Sequence, residues 1–175
     1  MKKNGIVRRV DELGRLVVPK EIRKSLRIKE GDSVEIFNEN DSIVIRRYSS
    51  LERLKEFADL LVNSVYSDIK KNIFVTDTNK VISVAGPLKK EFINKNISDF
   101  LVESLSSRKT ILEKYEKSIN FINKDIVTSY IIVTIISNGD VKGSVVMFDE
   151  NKSVNEFDYQ MVKIASNFLS KAIED

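Results

Sequence analysis

The apolar residues of the first 48 positions fall into short runs separated by polar turns, a pattern typical of short β-strands. The pattern also predicts a helix from Pro19 to Leu26, because proline suits a first helical turn and Ile22 and Leu26 share one face. Four strands are predicted around this helix, at 6–10, 16–18, 33–37 and 42–47. A unit of this size rarely holds a sufficient core alone, so an intertwined homodimer is expected.

The apolar period then changes to steps of three and four residues, which predicts one amphipathic helix over residues 51–71. Only Ser49 and Ser50 separate this helix from the first unit, so we expect it to connect the two halves of the chain without a flexible linker. A second such helix is predicted over 154–173. The candidate oligomerisation residues on these two helices are Leu51, Leu54, Leu61, Val65, Met161 and Phe168.

The residues between the two long helices predict a mixed unit with an antiparallel sheet. Strands are predicted at 73–77, 81–84, 126–136 and 141–148, and helical segments at 88–93 and 98–106. The sequence Ser137-Asn138-Gly139-Asp140 is the clearest hairpin turn. Residues 107–125 are charged and mixed, and no element is predicted there. The expected division is therefore 1–50, a connecting helix at 51–71 and a second domain at 72–175.

The composition excludes several kinds of chemistry, because the 175 residues contain neither cysteine nor histidine. Disulfides, zinc sites built on Cys and His, haem ligation by histidine and Ser-His or Cys-His catalysis are all excluded. We also find no glycine-rich phosphate loop and no catalytic constellation among the scattered carboxylates, so no enzyme, metal or cofactor is predicted. No apolar run is long enough to span a membrane, and a cytoplasmic protein is expected.

Positive charge is concentrated at the start of the chain, although the net charge is only +3. Residues 1–29 contain ten Lys and Arg against three Asp and Glu. A basic segment beside a nearly neutral body favours an anionic partner, and double-stranded DNA is the first candidate. An ordinary solvated basic surface is the alternative.

The residues from Gly5 to Lys24 closely resemble the AbrB-type swapped-hairpin DNA-binding domain of bacterial transition-state regulators. Glu30-Gly31-Asp32, Glu35-Ile36-Phe37 and Arg46-Arg47-Tyr48 fit the same family. The whole chain is similar to sporulation regulators in which this domain is followed by a helix and a GAF-type domain. The resemblance implies an α+β protein in which an N-terminal swapped-hairpin β-barrel dimer is joined by a helix to a GAF-like domain. It also implies an activator and repressor of sporulation genes in the developing spore, assembled as a homotetramer through the GAF-like domains.

The resemblance also implies which side chains contact DNA. These are Arg8, Arg9, Arg15, Arg23 and Lys24, with Lys2, Lys20 and Arg27 as possible additional contacts. Asp11 and Glu12 are expected to hold or pair these arginines, and Arg46 and Arg47 to balance the acidic hairpin. Because the helix after Pro19 is too short for a recognition helix, loose sequence preference aided by DNA shape is expected.

Two questions about the second half of the chain stay open at this level. An unidentified small molecule could bind between the sheet and the helices of the GAF-like domain, or that domain could serve assembly alone. AbrB-type domains also occur in antitoxins, where a short tail wraps a toxin. The strand and helix periodicity of the second half argues against such a tail.

Overall fold

The computed structural model describes residues 5–150 and 153–174. The chain divides into two compact units, Met1–Tyr48 and Ser49–Asp175. The first boundary lies within two residues of the predicted one. The predicted connecting helix, however, belongs to the second unit and is not a separate linker.

The first unit contains a short helix and one β-hairpin. Helix α1 spans Lys20–Ser25, and strands β1 (Val34–Glu39) and β2 (Ser42–Arg47) pair antiparallel, with Val34 opposite Arg47. Asn40 adopts a left-handed conformation (φ 52°) in the turn between the strands, as asparagine readily does. These elements confirm the predicted helix and the second predicted pair of strands.

The first predicted pair of strands is not found within the single chain. Residues 6–10 and 16–18, which both lie in the described part of the chain, form no β-ladder. Where the two segments meet the loop between them, the Asp11 N–H donates to the Arg15 carbonyl at 3.0 Å. A strand needs a neighbour for its N–H and C=O groups, and the single chain supplies none at these positions.

The second unit is built on a five-stranded antiparallel sheet with the order β4-β3-β7-β6-β5. Its strands are β3 (Asn72–Asp77), β4 (Val81–Ala85), β5 (Ile111–Asn120), β6 (Asp125–Ser137) and β7 (Asp140–Asp149). Asn138 and Gly139 have positive φ in the β6–β7 turn, which confirms the predicted hairpin. Its helices are α2 (Ser50–Arg53), α3 (Lys55–Ile69), α4 (Lys89–Phe92), α5 (Asp99–Ser106) and α6 (Glu156–Glu174).

Each face of this sheet packs against its own set of helices. Alternate residues of β3 show the division, since Ile73 and Val75 join the core under α3 and α6, whereas Phe74 joins the core under α4 and α5. Because both faces are covered, β3, β4 and most of β6 and β7 are buried along their length. That explains their continuous apolar character in the sequence.

Two helical predictions need correction. The predicted helix 51–71 is interrupted at Leu54, which closes α2 and precedes α3, so it is two helices rather than one. Leu51 and Val65, predicted to contact a partner chain, are buried in the core of their own unit. Almost none of the surface of these two side chains is left for contact with another copy. Leu54, Leu61 and Met161 are partly buried, and Phe168 is exposed.

Strand β5 was not predicted from the sequence. Its middle residues, Lys114–Ser118, are exposed, and its pairing with β6 is irregular between Glu113 and Lys117. An edge strand with charged side chains gives no hydrophobic alternation to detect, although such charges protect the open edge of a sheet.

Candidate nucleic-acid interface

The predicted DNA-contact residues all belong to the first unit, and most are exposed. Arg8 and Arg9 precede the loop at residues 11–15 and, with Arg15 in that loop, are exposed to solvent. Arg8 donates a hydrogen bond to the neighbouring Val7 carbonyl at 3.3 Å. Lys2 lies outside the described residues.

Helix α1 carries three further cations. Lys20, Arg23 and Lys24 are exposed, and their spacing of three and four residues places Arg23 and Lys24 close to the helical face of Lys20. Lys24 supplies a point charge rather than the planar fork of an arginine. Arg27 follows the helix in a left-handed conformation (φ 53°) and is only partly exposed.

The loop that presents Arg15 is closed by a network centred on Asp11. The Oδ1 atom of Asp11 accepts hydrogen bonds from the N–H groups of Leu13 at 3.0 Å and Arg15 at 2.8 Å. Its Oδ2 atom accepts a bond from Nε of Arg15 at 2.7 Å. Gly14 takes the positive φ (75°) that the turn needs, and its N–H donates to the Asp11 carbonyl. The Arg15 backbone and side chain together hold the pKa of Asp11 below its ordinary value.

Arg46 and Arg47 behave as expected from the acidic hairpin beside them. Nε of Arg46 lies 2.8 Å from Glu35, and its guanidinium lies 4.4 Å from the centre of the Phe37 ring. Nε of Arg47 lies 3.5 Å from Asp32. Their pairing with these carboxylates within the chain confirms the predicted role.

This surface can neutralise phosphates, and it can offer planar arginine donors to base edges or to a narrow groove. No group of three or more acidic side chains in the described part of the chain is placed to hold a metal ion. Nor does any helix among residues 5–150 and 153–174 have the length and apolar character needed to cross a membrane.

The role of Asp11 is the part of this site that the sequence shows least directly. Pairing with the arginines was expected, but not that one carboxylate would bind two backbone N–H groups and an arginine side chain together. The spacing Asp-x-x-Gly-Arg could have indicated it, since aspartate often caps a tight loop in which glycine supplies the positive φ.

The chain matches known proteins along both units. Residues 53–174 match the family described as stage V sporulation protein T C-terminal, transcription factor. Residues 7–53 match the family described as antidote-toxin recognition MazE, bacterial antitoxin. Stage V sporulation protein T of Bacillus subtilis strain 168 is 37% identical over 177 residues, which cover 99% of each chain. The transition state regulatory protein AbrB of the same organism is 50% identical over 48 residues, 27% of this chain and 50% of AbrB.

Solved structures show the fold of the second unit. The GAF domain of the nutrient sensor CodY from Clostridium difficile aligns with a TM-score of 0.52 and 15% identity, covering 88% of this chain and 94% of that one. The GAF domain of A. aeolicus nlh2 aligns with a TM-score of 0.54 and 15% identity, covering 69% and 84%. At this identity the likeness concerns the fold alone.

An AbrB-like N-terminal unit and a GAF-like unit together define a DNA-binding transcription regulator. The chain belongs to the stage V sporulation protein T family of transcription factors, whose members regulate sporulation genes. The predicted α+β fold class, with these two kinds of unit, is confirmed.

Proposed function

We propose that this regulator binds duplex DNA through two interleaved copies of residues 1–50, and that its GAF-like unit joins such dimers into tetramers. In this proposal the protein both activates and represses sporulation genes in the cytoplasm of the developing spore.

The observation that carries the proposal is the absence of a core in the first unit. Among residues 5–48, all described, not one side chain is buried. Val7, Val17 and Ile43 are each more than 70% exposed. Apolar side chains in that state need cover, and residues 6–10 and 16–18 need strand partners. A second copy of the same unit would supply both.

The proposed DNA contacts are Arg8, Arg9, Arg15, Arg23 and Lys24, with Lys20 and Arg27 at the margin. Each phosphate neutralised adds about 0.9 to the slope of log K against log salt. Two copies with three or four contacts each give a slope on the order of −5 to −7.

The proposed assembly surface lies on α3 and α6, which contact each other on one face of the sheet. Phe57 and Leu60 of α3 and Phe157, Ile164 and Phe168 of α6 are exposed. The α6 residues recur at steps of seven and four with Met161 between them, so they form one stripe. Adjacent apolar stripes on two helices favour an isologous contact with a second copy.

A small-molecule sensor is the alternative role for this unit, and the packing under α4 and α5 argues against it. Phe74, Phe92, Phe121 and Phe148 are buried there, with ring centres between 5.2 and 6.1 Å apart. A ligand between the sheet and these helices would have to displace that cluster. We therefore propose assembly rather than sensing.

An antitoxin-like role is less well supported. The match of residues 7–53 is to an antitoxin family, but residues 49–175 form a compact unit with two cores rather than a tail.

The test is a DNA titration across salt concentrations with light scattering on each sample. It compares the full chain with Arg8→Ala/Arg15→Ala/Arg23→Ala. The control is Lys90→Ala/Lys95→Ala/Lys171→Ala, which also removes three positive charges, from exposed lysines of the second unit. We expect the first variant to lose binding and most of the salt slope, whereas the control keeps both. Equal loss in the two variants would contradict a localised interface.

The same scattering experiment tests assembly with Phe57→Glu/Ile164→Glu. We expect a tetramer for the natural chain and a dimer for this variant, with weaker DNA binding through lost avidity. An unchanged molar mass would contradict assembly of two copies through the surface on α3 and α6.

A further inference from the structure

The carboxylate of Asp11 stands inside the most basic segment of the chain, where it weakens the attraction for phosphate. Like charges repel, so an acid facing DNA costs affinity unless it does something else. Glu12, its neighbour, carries the same charge and is also exposed. The two acids differ in their contacts.

Asp11 fixes both the backbone and the side chain of Arg15. Its Oδ1 atom accepts the Leu13 and Arg15 N–H groups, which sets the loop. Its Oδ2 atom accepts the Arg15 Nε–H at 2.7 Å, which sets the direction of the guanidinium. The edge between the two terminal nitrogens, which carries one N–H group from each of them, is then turned away from Asp11.

The Arg15 side chain is well placed to use that edge, because it is 72% exposed although Asp11 holds it. A guanidinium whose two terminal nitrogens face outward has the fork that binds two acceptors at once. Holding the fork before DNA arrives also reduces the side-chain entropy lost on binding.

We propose that Asp11 is a positioning residue that aims the Arg15 fork at DNA and thereby contributes to sequence preference. This rests on the proposed function of the first unit as a DNA interface. The Arg15 backbone hydrogen bond first, and then its side chain, lower the pKa of Asp11, as contacts that favour the charged carboxylate should.

The alternative, that Asp11 is only a surface charge, gives a distinguishable result. Neutralising a surface acid near DNA raises affinity for every sequence alike. Loss of a positioning acid lowers the preference for a favoured sequence, because Arg15 no longer meets the base or groove edge in one orientation.

The experiment uses the full chain and two probes, a duplex selected from a random pool by the natural protein and a scrambled duplex of equal composition. The measured quantity is the affinity for the selected duplex divided by the affinity for the scrambled duplex, at one salt concentration. Asp11→Asn keeps an acceptor for the backbone N–H groups but can present N–H₂ instead of Oδ2 to Arg15. Asp11→Ser is a second variant that can close the loop without reaching the guanidinium. Glu12→Gln is the control, because it removes one negative charge as the Asp11 variants do.

We expect Asp11→Asn and Asp11→Ser to lower the ratio about fivefold or more, as loss of a two-acceptor base contact would. Glu12→Gln should leave the ratio unchanged and raise both affinities slightly. In an Arg15→Ala background, Asp11→Asn should not lower the ratio further, because the group that it positions is gone.

Two outcomes would overturn the proposal. Asp11→Asn and Glu12→Gln could change both affinities alike with the ratio intact, or Asp11→Asn could lower the ratio equally with and without Arg15. Failure of the proposed function is distinguishable, since Arg15→Ala would then leave DNA binding unchanged. Circular dichroism on each variant checks that the fold is retained.

Discussion

The Cδ1 atom of Leu51 lies 2.8 Å from the position that a Cβ atom on Gly143 would occupy. The same Cβ would overlap the backbone carbonyl of Thr76 on the adjoining strand. Helix α2 therefore packs on β7 at a position where only glycine leaves room. This contact ties the first residues of the second unit to its sheet.

We predict that Gly143→Ala lowers the free energy of unfolding by about 2–3 kcal/mol, because backbone atoms must move to accept the methyl group. Urea unfolding measures it. Gly139→Asn is the control, since that turn position is open and asparagine tolerates its φ of 79°. A loss for Gly143→Ala no larger than that of the control would contradict the close packing.

The buried ion pair between Lys71 and Asp158 gives a second prediction. The two side chains are 8% and 3% exposed, and Lys71 also donates to the Ser153 carbonyl at 3.0 Å. Lys71→Met leaves a buried carboxylate without its partner and is expected to cost about 3–5 kcal/mol. Lys71→Met/Asp158→Asn removes that charge and should recover part of the loss, since asparagine can still accept the Asn155 N–H.

Thermal and urea unfolding measure both variants, with Lys124→Met as the control. Lys124 pairs with Glu91 on the surface, where an ion pair contributes about 0–1 kcal/mol. Equal losses of unfolding free energy from Lys71→Met and Lys124→Met would show that burying the Lys71–Asp158 pair does not raise its contribution to stability.

Asp59 on α3 gives a prediction about pH. Burial would raise its pKa, but hydrogen bonds from Ser83 on β4 and from Lys55 outweigh it and hold the pKa below its ordinary value. Because the folded pKa lies below the unfolded one, the interaction stabilises the fold above about pH 4. That contribution is lost as the pH falls through the lowered value.

Asp59→Asn should therefore lower the urea midpoint at pH 7, and its difference from the natural chain should shrink towards pH 3. Asp68→Asn, an exposed change on the same helix, is the control and should differ little at either pH. A constant difference for Asp59→Asn across this range would contradict the assignment.

The aromatic cluster under α4 and α5 gives a prediction from packing. Phe74 is fully buried and its ring contacts those of Phe92, Phe121 and Phe148. Phe74→Ala is expected to cost about 3–5 kcal/mol, because it removes buried area and leaves a cavity. Tyr115→Ala, which removes an aromatic ring at a 79% exposed residue, should alter the unfolding free energy by about 0.5 kcal/mol or less. Comparable losses in the two variants would mean that Phe74 does not hold the core together.

Most of the second unit could be predicted from the sequence, since its long strands are nearly continuous apolar runs and α6 keeps a helical apolar period. The break at Leu54 and strand β5 could not. The apolar stripe runs through the break without interruption. Strand β5 owes its place to pairing with β6, a long-range contact that leaves little trace in its own charged residues.

The sequence by itself determined the class of protein, the basic first unit and the residues predicted to meet DNA. The basic charge follows from the composition, and the class and the contact residues follow from the resemblance of residues 5–48 to a known family. The tertiary structure decided that Leu51 and Val65 face their own core, and that residues 5–48 have none. It also decided that Asp11 binds Arg15 through both backbone and side chain. Burial and side-chain hydrogen bonds depend on which elements meet in space, and a pattern along the chain does not contain that information.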